Sequence, residues 1–122
     1  MKGYVVFFKC HNGVVETGGR KSFKIEEGLY AYVGSCGISC GKRVSRHLDP
    51  DKEKLHWHVD YLSRMCEPLG ALVLNVEERT LASYLSKFPS VRGFGSTDDR
   101  ENESHLFKGE VEDILRVLLS ER

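Results

Sequence analysis

Nothing in these 122 residues approaches the ~18 uninterrupted apolar positions of a membrane helix, and the run Tyr4 to Phe8 falls short even of a signal-peptide core. No membrane partner is expected, and the chain reads as cytoplasmic. Net charge is lacking too, since 18 Lys and Arg balance 18 Asp and Glu. That balance argues against a large non-specific grip on DNA or RNA, because phosphate affinity scales with the number of cationic contacts. No linker, low-complexity tract or internal repeat interrupts residues 1–122, which are long enough for one domain and too short for two. The four cysteines, Cys10, Cys36, Cys40 and Cys66, lack the paired spacing of a structural zinc site. In a cytoplasmic protein they read as reduced thiols.

The charge that is present is unevenly spread. Lys2, Lys9, Arg20, Lys21 and Lys24 outnumber a lone Glu16 in residues 2–24, whereas Asp98, Asp99, Glu101, Glu103, Glu110, Glu112 and Asp113 crowd the last quarter. Such asymmetry is compatible with one basic face presented to a polyanion.

Hydrophobic periodicity divides the chain. Gly3 to Cys10 reads as a strand, with His11-Asn12-Gly13 as a hairpin turn into Val14-Val15-Glu16 as its partner. Ser22 to Ile25 and Leu29 to Val33 are further strands, the second rich in tyrosine and β-branched residues. A loop, Gly34 to Gly41, leads to helical Lys42 to Leu48. Asp49-Pro50-Asp51 then offers a cap for a helix from about Lys52 to Cys66, with Leu55, Val59, Leu62 and Cys66 on one stripe; alternation through His56 to Tyr61 would also permit a strand, but the cap favours the helix. Leu69 to Val76 reads as the clearest buried strand and Glu77 to Lys87 as a helix. Pro89 to Glu103 is a polar loop, and Val111, Ile114, Leu115, Leu118 and Leu119 mark a C-terminal amphipathic helix. The expected class is α+β, a small, mainly antiparallel sheet flanked by helices.

Three groups of residues could carry chemistry. Arg43 and His47 lie four apart, as do Val44 and Leu48, so the cationic pair borders the expected packed face, although an ordinary solvated face has the same spacing. Glu78 shares a helical stripe with Leu81, Ala82 and Leu85, while Glu77 is rotated away. A half-buried carboxylate needs a counter-charge such as a divalent cation; a first-turn glutamate complementing the helix dipole fits the position equally. His56, His58 and Asp60 form a third cluster, in which His56 and Asp60 share a helical face; no HExxH motif accompanies it to argue for zinc.

Gly3-Tyr4, the run Gly28-Leu29-Tyr30-Ala31-Tyr32-Val33-Gly34-Ser35 and the following Arg43 and His47 resemble the motifs of the GIY-YIG endonuclease superfamily. The match is closest to a small, mostly archaeal branch carrying a segment like His56-Trp57-His58-Val59-Asp60-Tyr61-Leu62, and Ser104-His105-Leu106-Phe107 matches that branch as well. The spacer between the two Gly/Tyr motifs is long for the wider superfamily, and an extra hairpin, Val14 to Ile25, would absorb it. The resemblance implies neighbouring strands bearing Tyr4 and Tyr32, with Gly3 and Gly34 as the motif glycines, facing a catalytic Arg43. It implies His47 one turn later in the same site, and Glu78, or else Glu77, as ligand to Mg²⁺ or Mn²⁺. His56, His58, Asp60 and His105 would support that site. The implied activity is hydrolysis of phosphodiester bonds in nucleic acid, DNA rather than RNA, in repair or processing. A nucleic-acid-binding module without turnover is the rival reading, favoured by the neutral charge, and an interaction domain working beside a repair enzyme is a third.

Overall fold

Five consecutive apolar or aromatic residues, Tyr4 to Phe8, leave no face of their strand suited to water, and in the computed structural model that strand lies inside the sheet. The structure describes residues 2–19, 21–49 and 58–120. Strand β1 (Gly3–Cys10) pairs antiparallel on one side with β4 (Gly28–Ser35) and on the other with β5 (Cys66–Leu74). A short β6 (Leu106–Lys108) adds to β4, giving the order β5-β1-β4-β6. The class is α+β as expected, with four helices among the described residues: α1 (Cys40–Leu48), α2 (His58–Tyr61), α3 (Glu78–Tyr84) and α4 (Val111–Ser120). Among the described residues no helix is long and apolar enough to cross a membrane.

Alternation along the two central strands builds a core on each face of the sheet. Tyr4, Val6 and Phe8 join Tyr30 and Tyr32 on one face, against Val59, Leu62 and Phe94. Val5, Phe7, Ala31 and Val33 face the other way, onto Leu81, Ala82 and Leu85 and onto Ile114 and Leu118 of α4. The stripe read for α3 is buried; of the α4 stripe Ile114 and Leu118 are buried, while Leu119 is exposed and Val117, which the stripe left out, is buried.

Five expectations need correction. Val14 to Glu16 does not pair with β1; strand β2 (Gly13–Glu16) pairs with β3 (Ser22–Ile25) as a separate two-stranded sheet, the extra hairpin that the long spacer required. Strand β5 is an edge strand, with Leu69 and Val73 about half exposed, and it starts at Cys66 rather than within a helix. Pro68 sits beside a register shift against Phe7 and Phe8, consistent with proline's lack of an N–H. The expected Lys52–Cys66 helix lies outside the described residues up to Trp57; beyond them come α2, a 3₁₀ turn at Leu62–Arg64 and the strand. In α1, His47 is the fully buried residue while Leu48 is 36 % exposed, so the inward face centres on Arg43 and His47.

The cysteines are the fifth correction. Antiparallel pairing sets Cys10 directly opposite Cys66, and the two are joined as a disulfide with their Cα atoms 4.1 Å apart. Cys36 and Cys40, flanking the turn from β4 into α1, form a second disulfide. Spacing alone hid both, because the first depends on a strand register and the second on a tight turn. We predict that Cys10→Ser with Cys66→Ser lowers stability by about 2–4 kcal/mol, since the bond closes a loop spanning a sequence separation of 56. Urea unfolding with and without reductant measures this; an unchanged midpoint would show that the pair does not hold the sheet.

Candidate active site

Tyr4 and Tyr32 lie on adjacent strands, and the register pairs Tyr4 with Gly34 and Val6 with Tyr32, so both tyrosines project from one face. A Cβ at Gly34 would overlap the Tyr4 ring, and only glycine lets that ring cross β4 toward α1. There the Tyr4 hydroxyl lies 2.6 Å from His47 Nε2. Gly3 has an equivalent use: a Cβ there would stand 2.8 Å from the Val76 carbonyl oxygen and 3.2 Å from the Glu78 amide nitrogen. The segment that begins α3 packs directly on the β1 backbone, and Glu78 is thereby brought to the end of the sheet.

Helix α1 starts where the Ser39 side chain accepts a hydrogen bond from the Lys42 amide. One turn on, Arg43 donates from Nη1 to the Ser35 carbonyl at 2.7 Å, which holds the guanidinium beside the end of β4. His47 is fully buried, with Asp60 Oδ1 3.8 Å from its Nδ1. Asp60, also fully buried, accepts from Arg46 Nη2 at 2.9 Å. The carboxylate facing Nδ1 favours the tautomer with the proton there, which leaves Nε2 to accept from the Tyr4 hydroxyl.

These residues converge on one cavity of about 390 Å³, lined by Tyr4, Tyr32, Arg43 and Glu78 together with His58 and His105. Burial pushes the Tyr4 phenol well above its ordinary range, with Glu78 and Asp60 adding to the shift and Arg43 opposing it. Tyr32 is shifted the same way, by burial first and then by Tyr4, Glu78 and Asp60. Glu78 binds its proton more tightly than a free glutamate because of burial and nearby Asp99, opposed by His105 and the arginines. Glu77 is exposed at the N-cap of α3 and is not among the cavity residues.

The supporting residues fall differently from one another. His58 lines the cavity, its Nδ1 accepting from the Gly95 amide at 3.1 Å and its ring packed on Phe23 and Phe94; burial and Lys21 lower its proton affinity. His56 lies outside the described residues. His105 is 1 % exposed, with Nε2 2.8 Å from Asp99 Oδ2 and Nδ1 3.9 Å from Glu78 Oε2. Among the described residues Nδ1 of His105 has no hydrogen-bond partner. Sequence reasoning placed Asp99 only in an acidic loop. In the structure it anchors that loop, its carboxylate accepting from the amides of Glu101 and Asn102, the Asn102 side chain and His105. An aspartate three residues ahead of an asparagine in a polar loop is the one available signal, and it marks many ordinary turns.

A family model described as a domain of unknown function, DUF123, matches residues 3–121, and the chain belongs to that family. No curated protein and no solved structure matches it.

Burial alone would raise the Asp99 carboxyl, but the hydrogen bonds from His105, Asn102 and the two amides outweigh it and hold the group at about 2. Because this lies below the ~3.9 of an unfolded aspartate, its stabilisation is complete above about pH 5 and is lost as the pH falls toward the folded value. We predict that Asp99→Asn costs about 2 kcal/mol at pH 7 and that the gap between variant and native protein closes by about pH 2. Urea unfolding across that range decides it; a gap independent of pH would mean that the ionised carboxylate is not the anchor.

Proposed function

We propose that this DUF123 domain is a divalent-metal-dependent endonuclease that hydrolyses phosphodiester bonds in nucleic acid, with DNA as the substrate the GIY-YIG resemblance favours. The observation that carries the reading is the convergence of Tyr4, Tyr32, Arg43 and Glu78, from four separate elements, around one cavity, with His47 buried behind it on the Tyr4 hydroxyl. A resident cation is implied by the resemblance, and the residues present fit one. Glu78 lies on the cavity wall in a partly desolvated position that favours a counter-charge, and a buried, unpartnered imidazole nitrogen faces it. Glu78 would hold Mg²⁺ or Mn²⁺.

Proton movement is assigned to the chain itself. A phenol as buried as Tyr4 supplies almost no phenolate at neutral pH, so it does not act alone. As the attacking water passes its proton to the Tyr4 oxygen, Tyr4 passes its own to His47 Nε2. Asp60 stabilises the imidazolium that results, and Arg46 pairs with Asp60 from the other side at 2.9 Å. The Arg43 guanidinium, fixed by Ser35, meets the charge that develops on the phosphoryl oxygens. A bound divalent ion supplies Lewis-acid stabilisation of the leaving oxygen. Tyr32 keeps its place in the cavity wall, but the relay favours Tyr4 as the tyrosine nearer the water.

The test is nicking of duplex, branched and single-stranded DNA and of RNA with Mg²⁺ or Mn²⁺. Arg43→Ala should lose roughly a hundredfold or more in rate, about 3 kcal/mol, while costing about 1–2 kcal/mol of stability through its bond to Ser35. Glu78→Ala should abolish metal-dependent cutting, and Glu77→Ala should not. Native protein that binds these substrates and cuts none of them is a binding module; protein that does neither points to an interaction domain beside a repair enzyme.

A further inference from the structure

Among the described residues His105 is the one buried imidazole in the cavity wall that the relay leaves unused, and its surroundings constrain what it can do. Its Nε2 lies 2.8 Å from a carboxylate that accepts from three other hydrogen-bond donors, so Nε2 carries a proton and donates it to Asp99. In the neutral ring Nδ1 then presents a lone pair. It is buried, has no hydrogen-bond partner among the described residues, and faces Glu78 Oε2, another lone-pair atom, at 3.9 Å. A lone pair on Nδ1 and the Glu78 carboxylate, on the wall of one cavity, repel unless something positive lies between them.

A proton on Nδ1 would face Glu78 as the His47 proton faces Asp60 at 3.8 Å, but it would make no hydrogen bond there and, with Nε2 already donating to Asp99, would need the ring to be charged. An N–H···O bond spans about 2.7–3.2 Å, well short of the separation found. A cation fits better, because two ligand atoms each about 2.1 Å from one ion lie between roughly 3.0 and 4.2 Å apart, depending on their angle. A histidine that gives one ring N–H to a carboxylate and keeps the other nitrogen free is also the arrangement that orients metal-binding imidazoles in general.

We infer that His105 Nδ1 is a second protein ligand of the cation at Glu78, oriented by Asp99, and that the site therefore prefers a first-row transition ion to Mg²⁺. The inference rests on the metal-dependent reading above. Imidazole nitrogen adds little for Mg²⁺, which takes oxygen ligands and keeps its waters, and more for the softer divalent ions. Among the described residues no group of three or more ligating side chains occurs. Two protein ligands leave the remaining positions to water and to a substrate phosphate oxygen, as suits an ion that must be shared with the substrate.

Mn²⁺ alone is the probe. Pulsed electron paramagnetic resonance of the Mn²⁺-loaded native protein should show nitrogen coupling from a bound imidazole. That coupling should persist in His58→Gln and disappear in His105→Gln, whose Mn²⁺ affinity should fall by about ten- to a hundredfold with Mg²⁺ affinity nearly unchanged. Asp99→Asn should weaken Mn²⁺ while keeping the coupling. Mn²⁺ that binds through Glu78 without nitrogen coupling would overturn the inference and leave the nuclease reading intact. Tighter Mn²⁺ binding by His105→Gln would overturn it too, by showing that the ring is a competing imidazolium. No Mn²⁺ binding at millimolar concentration would end both this inference and the metal-dependent reading. Nitrogen-coupled Mn²⁺ in a protein that cuts nothing would keep the ligand and discard the nuclease.

Discussion

The space left by the missing side chain at position 34 is the constraint on which the site depends. Antiparallel pairing places Gly34 opposite Tyr4, and any Cβ there would collide with the phenol ring. With glycine, the ring crosses the neighbouring strand and delivers its hydroxyl to His47 on α1, a helix whose first residue lies five positions beyond the strand's last. Gly3 sets the companion distance, letting the start of α3 rest on the β1 backbone so that Glu78 reaches the same end of the sheet. The two motif glycines thus act as spacers that fix where the tyrosine and the glutamate stand.

Drawing polar groups into a packed domain is costly unless they find partners, and the molecule arranges these groups in two chains, with His105 Nδ1 left without a hydrogen bond among the described residues. Tyr4, His47, Asp60 and Arg46 form one, ending on an arginine that reaches solvent. Glu78, His105 and Asp99 form the other, ending on the amides of the 99–102 turn. In both, a buried histidine stands between a cavity residue and a carboxylate that takes no direct part in the cavity chemistry. The apolar clusters on the two faces of the sheet supply the stability that these polar chains draw on, and the Cys10–Cys66 bond ties the edge strand to the centre.

What was legible in the sequence was what depends on local pattern. Continuous apolar residues marked β1 as interior, and the 3.6-residue stripes of α3 and α4 gave the second core; the motif spacing brought Tyr4, Tyr32, Arg43, His47 and Glu78 together on paper as they are in space. What depends on register or on loop shape was not legible. Asp60 meets His47 only because α2 docks on α1, and Asp99 reaches His105 only because a polar loop folds back on itself. The disulfides failed for the same reason: compartment argued for thiols, while the pairing of Cys10 with Cys66 follows from a strand partner assigned in the sequence to Val14–Glu16.

Nitrogen NMR of the His47 ring tests the central claim most directly, because the relay requires one tautomer. With ¹⁵N-labelled histidine near neutral pH, the account predicts a protonated Nδ1 facing Asp60 and an unprotonated Nε2 whose resonance is shifted by the hydrogen bond from Tyr4, the shift being lost in Tyr4→Phe. A proton resident on Nε2 of neutral His47, or an Nε2 resonance indifferent to Tyr4→Phe, would contradict it, since His47 could then take no proton from Tyr4.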